Sequence, residues 1–254
     1  MVEHVAEQAA WFLPQLNQLL HSSSAAFLPT VPVASYLAYR SVPDGDDLPW
    51  PSPVVGADRG SESKVLATIA ITEQEHRMSE ILVSDRYAWR GYCPLEQIDE
   101  TPREQREVTL LAWSESDAVG TMTMGIDNGR GLQADETYAE KLDDLRAQGR
   151  TVCEFTRFAV SAVADSKATI SGLFDLSYVL GRRMLGVTDV VVEVNPRHVG
   201  FYRRAFGFKS ISDVRTCERV NAPAVLLRLD VAELEGRMRQ VGARMPGELA
   251  TARG

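Results

Sequence analysis

Two stretches concentrate the residues able to carry acid–base chemistry. The first is TVCEFTRFAV, residues 151–160. Its β-branched and aromatic content predicts a strand, and alternate residues of a strand share a face. Val152, Glu154, Thr156, Phe158 and Val160 then lie on one side, with Cys153, Phe155, Arg157 and Ala159 on the other. A central strand is apolar on both sides, so Glu154 and Arg157 stand out, because buried charges are costly unless paired. One reading is a structural ion pair between Arg157 and an acid such as Glu96 or Asp99. The other is a general base at Glu154, its pKa raised by burial toward neutrality, with Arg157 holding a carboxylate two-pronged.

The second stretch is VVVEVNPRHVGFYRRAFGF, residues 190–208. A β-branched strand ends at Asn195, because Pro196 lacks an N–H and disfavours helical geometry in the residue before it. Asn195 then sits at the C-terminal edge of a strand, where ligands bind in open α/β sheets. Tyr202 follows seven residues later, two turns into a short helix, so both side chains can face one crevice. The alternative is that Asn195 only caps the helix, with Phe201, Tyr202 and Phe206 as core.

The elements that must position these residues follow from periodicity. VLATIAI from Val65 is a strand. TEQE at 72–75 has the capping-box pattern, and a helix is expected to run from there toward DRYAWRGY. EVTLLAW and AVGTMTMGI are strands separated by the turn-like SESD. Residues 134–147 read as an exposed helix, about 171–185 as a second, and 231–242 as a last one after the strand APAVLLRLD. Alternating strands and helices in the second half, after two adjacent strands, predict an α/β domain with a mixed sheet. Its expected span is 64–254, preceded over 1–63 by an amphipathic helix and a proline-rich connector.

Composition narrows the class. A net charge of −8 argues against a nucleic-acid binder. Three distant cysteines, Cys93, Cys153 and Cys217, suit a reducing cytoplasm rather than a disulfide framework. The four scattered histidines show no metal-ligand spacing, so no metal site is expected. Neither a signal peptide nor a membrane span is expected.

Asn195, Tyr202 and the following Gly207-Phe208 together resemble the last motif of the GCN5-related N-acyltransferases. VNPRHVGFYRRAFGF, CEFTRFAV and VNAPAVLLRLD taken together resemble the long-chain N-acyl amino acid synthases, relatives of the acyl-homoserine-lactone synthases. The resemblance spans roughly 65–235. It implies a central twisted mixed sheet flanked by helices on both faces, and transfer of a fatty acyl chain from a thioester on acyl carrier protein to the amine of an amino acid. Homoserine-lactone synthesis and a non-catalytic acyl-binding module are the alternatives.

By that resemblance Glu154 is the base and Tyr202 protonates the departing thiolate. Arg86, Trp89, Thr156, Arg157 and Phe158 contact the acceptor, with Tyr92 matching the relatives in kind. Asn195, Arg197 and Phe201 contact the pantetheine arm, which enters a splay between the two motif strands. Met122, Met124, Phe158 and Leu173 are candidates to line an acyl tunnel. No cofactor is implied beyond the acyl thioester, on carrier protein or coenzyme A. After Val160 the chain reads SAVADSKATISG, without the glycine-rich turn that cradles a pyrophosphate, which favours the carrier. Arg197, Arg203, Arg204 and Lys209 form a basic patch with no acid between 197 and 209, suited to docking an acidic carrier, Arg203 and Arg204 foremost.

Overall fold

A computed structural model of the chain describes residues 65–89 and 106–244. The helix and connector expected over 1–63, together with Tyr92, Cys93, Glu96 and Asp99, lie outside the described residues. In chain order the elements are β1 (Val65–Ile69), α1 (Glu73–Trp89), β2 (Arg106–Ser114), β3 (Asp117–Ile126), α2 (Asp135–Ala147) and β4 (Val152–Val160). There follow α3 (Ser166–Tyr178), β5 (Asp189–Val194), α4 (Val199–Ala205), β6 (Lys209–Ser210), β7 (Arg215–Cys217), β8 (Ala222–Asp230) and α5 (Val231–Arg244).

The strands form one mixed sheet ordered β1-β2-β3-β4-β5-β8-β6, with β7 paired to β8. The first four make an antiparallel meander. β4 and β5 are parallel, and β8 returns antiparallel to β5. Residues from α3, α4 and α5, among them Leu173, Phe174, Phe201 and Leu234, bury one face of the sheet with Met122, Met124, Cys153 and Phe155. On the other face Tyr138, Leu142 and Leu145 of α2 pack on Val152, Val191 and Leu226. α1 joins α2 on that face, where Ser79 bonds Thr121 at 2.7 Å. Helices on both faces of a mixed sheet match the expectation from sequence.

The capping box at the head of α1 forms as its pattern predicts. Thr72 Oγ1 accepts from the Glu75 N–H at 3.2 Å, and Glu75 Oε2 accepts from the Thr72 N–H at 2.8 Å. α3 starts earlier than expected, at Ser166 rather than about 171, because Asp165 caps it by accepting from the N–H groups of Lys167 and Ala168.

β4 departs from simple alternation. Thr121 pairs Ala159 and Thr123 pairs Thr156, so Arg157 and Phe158 together stand opposite Met122. Arg157 takes φ +50°, the left-handed region that non-glycine residues seldom occupy. This bulge moves Phe158 and Val160 to the face of Phe155, opposite to the alternation read from sequence. Phe155 and Phe158 both meet Phe174 edge-on, at 5.6 and 5.8 Å between ring centres.

The paired end of β4 and β5 is clamped by charge. Asp189, fully buried, pairs with Arg150 and Arg228, and both guanidinium groups also reach Asp230. Burial raises the Asp189 carboxyl, but hydrogen bonds from Arg150, Thr188 and Arg228 outweigh it and hold its pKa below the usual carboxylate range. A depressed carboxylate pKa stabilises the fold fully above the unfolded-chain value, and that contribution is lost as pH falls through the folded value. Asp189→Asn leaves two guanidinium groups sharing Asp230 alone, so urea unfolding at pH 7 should show a loss of about 3 kcal/mol, narrowing as pH falls below 4. An undiminished unfolding free energy would remove the clamp from the account.

Candidate active site

β4 and β5 pair only at three positions, from Val152 with Asp189 to Glu154 with Val191. Beyond them the strands part, and a cavity of about 200 Å3 opens between residues 154–160 and 192–195. Parallel strands that separate leave backbone groups unpaired, which a ligand or water must satisfy. The cavity takes further walls from Arg86 and Tyr87 of α1, from Gln133 ahead of α2, and from Cys217–Ala224 around the β7–β8 turn.

Glu154 sits where the strands part. It is 1% exposed. Its Oε2 accepts from the Ala134 N–H at 3.2 Å, while Oε1 is buried without a hydrogen-bond partner. Burial pushes its pKa up to about 7, against the Ala134 hydrogen bond and the Arg219 charge, which lower it, and with Glu193, which raises it further. A carboxylate so placed accepts a proton near neutral pH.

Asn195 and Tyr202 line the same cavity, as do Thr156, Arg157, Phe158 and Arg86. Asn195 ends β5 and also caps the turn at Pro196–His198, its Oδ1 accepting from the Arg197 N–H at 3.2 Å. Tyr202 is held by Phe201 and Phe208, both edge-on. Gly207 ends this segment at φ +82°, its N–H bonded to the Tyr202 and Arg203 carbonyls. The Arg157 side chain is 41% exposed and lies 3.9 Å from Glu107, a loose pair; the Glu96 and Asp99 partners considered from sequence lie outside the described residues.

Other expected site residues fall elsewhere. Phe201 is core, packed on Tyr202 and Phe206, and is not among the cavity walls; nor is Arg197, whose Nε donates to His198. Trp89 closes α1, its side chain outside the described residues. Met122 and Leu173 are fully buried core. Met124 instead lines a second, apolar cavity of about 40 Å3 with Phe155, Phe174 and Phe206. Arg203 is exposed, whereas Arg204 folds back, half-buried, over Gly200.

Sequence reasoning missed Tyr87, Gln133, Glu193, His198, Cys217 and Arg219 among the walls. For Glu193 the signal was available, since it interrupts an apolar strand as Glu154 does. For Arg219, in a turn, there was none.

The splayed parallel pair, the bulged fourth strand and the buried carboxylate belong to an acyltransferase of the GCN5-related N-acyltransferase fold, as the match to a solved N-acyl amino acid synthase and its family shows. The family model N-acyl amino acid synthase FeeM matches residues 79–230, more than half of the chain, and the chain belongs to that family. The structure of FeeM, an N-acyl amino acid synthase from uncultured soil microbes, is 25% identical with a TM-score of 0.59, over 69% of this chain and 96% of that one. An acyl-CoA N-acyltransferase from Pseudomonas aeruginosa is 16% identical, with a TM-score of 0.46 over 65% and 97% of the two chains. The AHL synthase LasI is 12% identical, with a TM-score of 0.42 over 66% and 91%. No curated protein matches the chain.

A buried acid with a raised pKa opposes folding once it ionises. Its folded form holds a proton that the unfolded chain has released, so stability falls as pH rises from about 4.5 through about 7. Glu154→Gln should therefore stabilise the protein by up to about 3 kcal/mol at pH 9 and hardly at all at pH 4. Thermal melting across that range checks this, and equal effects at both pH values would show that Glu154 is not desolvated.

Proposed function

We propose that the cavity joins an amino acid to a fatty acyl chain delivered by acyl carrier protein, and that Glu154 is the base. The buried Glu154 carboxylate, one oxygen unpartnered at the parting of β4 and β5, carries this reading. An ammonium nucleophile must lose a proton before its nitrogen can attack. Glu154 takes that proton, and the nitrogen forms a bond to the thioester carbonyl carbon. As the tetrahedral adduct collapses, the C–S bond breaks and the sulfur takes a proton from Tyr202. The second N–H proton leaves the nitrogen and replaces the one Tyr202 gave. The products are the amide and a free thiol.

Arg86 and Arg157 are the proposed anchors for the acceptor carboxylate, beside Thr156 and Phe158. Asn195 faces the pantetheine arm. Between β4 and α3 the chain supports a carrier protein over coenzyme A. The first N–H groups of α3, a ready anion site, are already taken by the Asp165 carboxylate. A carrier presents a single phosphate and asks less of that corner. Exposed Arg203, which follows the cavity-lining Tyr202 in the chain, is the proposed basic contact for the acidic carrier, with Arg204 and Arg197 on the same short segment. An enzyme using such a carrier acts in the cytoplasm, and no described helix is long and apolar enough to cross a membrane.

Purified protein given acyl carrier protein thioester and a mixture of the twenty amino acids should yield an N-acyl amino acid by mass spectrometry. Glu154→Gln should lower kcat about a hundredfold or more with the fold intact. Wild-type turnover in that variant would end the assignment. Charge reversal at both Arg203 and Arg204 should cut activity with the carrier about tenfold at low salt, with salt narrowing the gap. Activity with a small acyl-pantetheine should hardly change. Equal losses on both donors would place the arginines in the fold instead of the docking.

A further inference from the structure

The floor of the cavity holds a second carboxylate, Glu193, to which the reaction above gives no part. Glu193 belongs to β5, two residues before Asn195, and its side chain is only 6% exposed. Its Oε2 is held by Arg219. Its Oε1 is buried with no hydrogen-bond partner, like Oε1 of Glu154, and both residues line the same space. The two carboxylates sense each other electrostatically, Glu193 pushing the Glu154 pKa upward.

Charge on this floor does not balance. Arg219 is the guanidinium beside the two acids, and it is shared. Its Nη1 also donates to the Gln133 carbonyl at 2.6 Å and to Glu136 at 2.7 Å. The groups facing the Glu154 carboxylate are otherwise the backbone at Ala134 and Gln133, at the head of α2; the Cys153 thiol, on the opposite face of β4, donates to the Glu154 main-chain carbonyl instead. The thiol of Cys217, on β7, faces Glu193 as a weak donor, and burial first, then the Glu193 charge and that hydrogen bond, raise its pKa. Burial keeps both thiols neutral. Two desolvated carboxylates against one shared guanidinium leave a net negative floor, with Oε1 of each acid lacking a strong donor. Such a floor is costly when empty and is relieved by a small cation with several N–H donors.

We propose that Glu193 is a second acceptor-binding residue, holding the ammonium of the incoming amino acid together with Glu154. This rests on the cavity being the acceptor site. An ammonium has three donors, enough for Oε1 of each acid and the carbonyl under attack. The roles of the two acids then divide by their partners. Arg219 keeps Glu193 paired, so it holds charge in place. Glu154 has no guanidinium bonded to it and takes the proton. The arrangement also orients the substrate, with its cationic end toward the floor and its carboxylate toward Arg86 and Arg157. It excludes acceptors whose nucleophile is uncharged.

The test compares an amino acid with its oxygen analogue. The best acceptor from a screen of the twenty amino acids is paired with the matching 2-hydroxy acid as competitive inhibitor. In the wild type the hydroxy acid should bind at least tenfold more weakly than the amino acid, the usual scale for a charged hydrogen bond in a dry site. Glu193→Gln should raise the acceptor KM about tenfold or more and leave the hydroxy-acid Ki and the acyl-donor KM nearly unchanged. It should also move the acidic limb of kcat/KM to lower pH, because Glu154 loses a negative neighbour. Equal wild-type affinity for the two analogues would overturn the proposal without any variant. So would an unchanged acceptor KM in a folded Glu193→Gln, or equal losses for both analogues. Absence of acyl transfer by the wild type would instead overturn the reading of the cavity itself.

Discussion

Parallel pairing between β4 and β5 stops after Glu154 and Val191, and the rest of the molecule is arranged around that break. Three features hold it open. At the closed end, Asp189 with Arg150, Arg228 and Asp230 clamps the strand starts together. On one side β5 stays paired to β8 as far as Val194, so it cannot follow β4. On the other, the bulge at Arg157 and Phe158 bends β4 while keeping its pairing to β3, and seats Phe158 against Phe174. A β4 that paired with β5 along its whole length would leave no room between the two, and the buried acids of both strands would have no space to face.

Two buried carboxylates show how environment sets their work. Asp189 is surrounded by donors and two guanidinium groups, and its pKa falls. Glu154 is as deeply buried but has only backbone donors at Ala134 and Gln133 and faces another acid, and its pKa rises to about 7. The first is a structural group, stable as an anion. The second is balanced between its two protonation states near neutral pH, which is the condition for moving a proton and a condition that costs stability.

Much of this was legible in the chain. Alternation and turn residues located six of the eight strands, all but the short β6 and β7, the capping box located α1, and Asn195-Pro196 located the end of β5 at the cavity. The acid inside an apolar strand singled out Glu154. What stayed hidden has physical reasons. Nothing at Arg157 marks a bulge: it is neither Gly nor Asn, and its positive φ is imposed by tertiary pairing. Periodicity therefore put Phe158 and Val160 on the wrong face. The early start of α3 depends on one Asp165 cap, in a segment whose polar residues read as loop. Phe201 and Tyr202 are adjacent aromatics that spacing cannot separate, and only packing sends one to the core and the other to the cavity. Arg219 reaches the floor from a turn, a contact set by the return of β8.

The pH dependence of kcat/KM in the wild-type enzyme is the most direct test of the central claim, that the parting of β4 and β5 creates a base by desolvating Glu154. This quantity reports ionisations of the free enzyme. Activity should rise with pH along a limb with an apparent pKa of about 7. A limb centred near 4.5, the ordinary value for a glutamate, or a flat profile between pH 5.5 and 8, would contradict it.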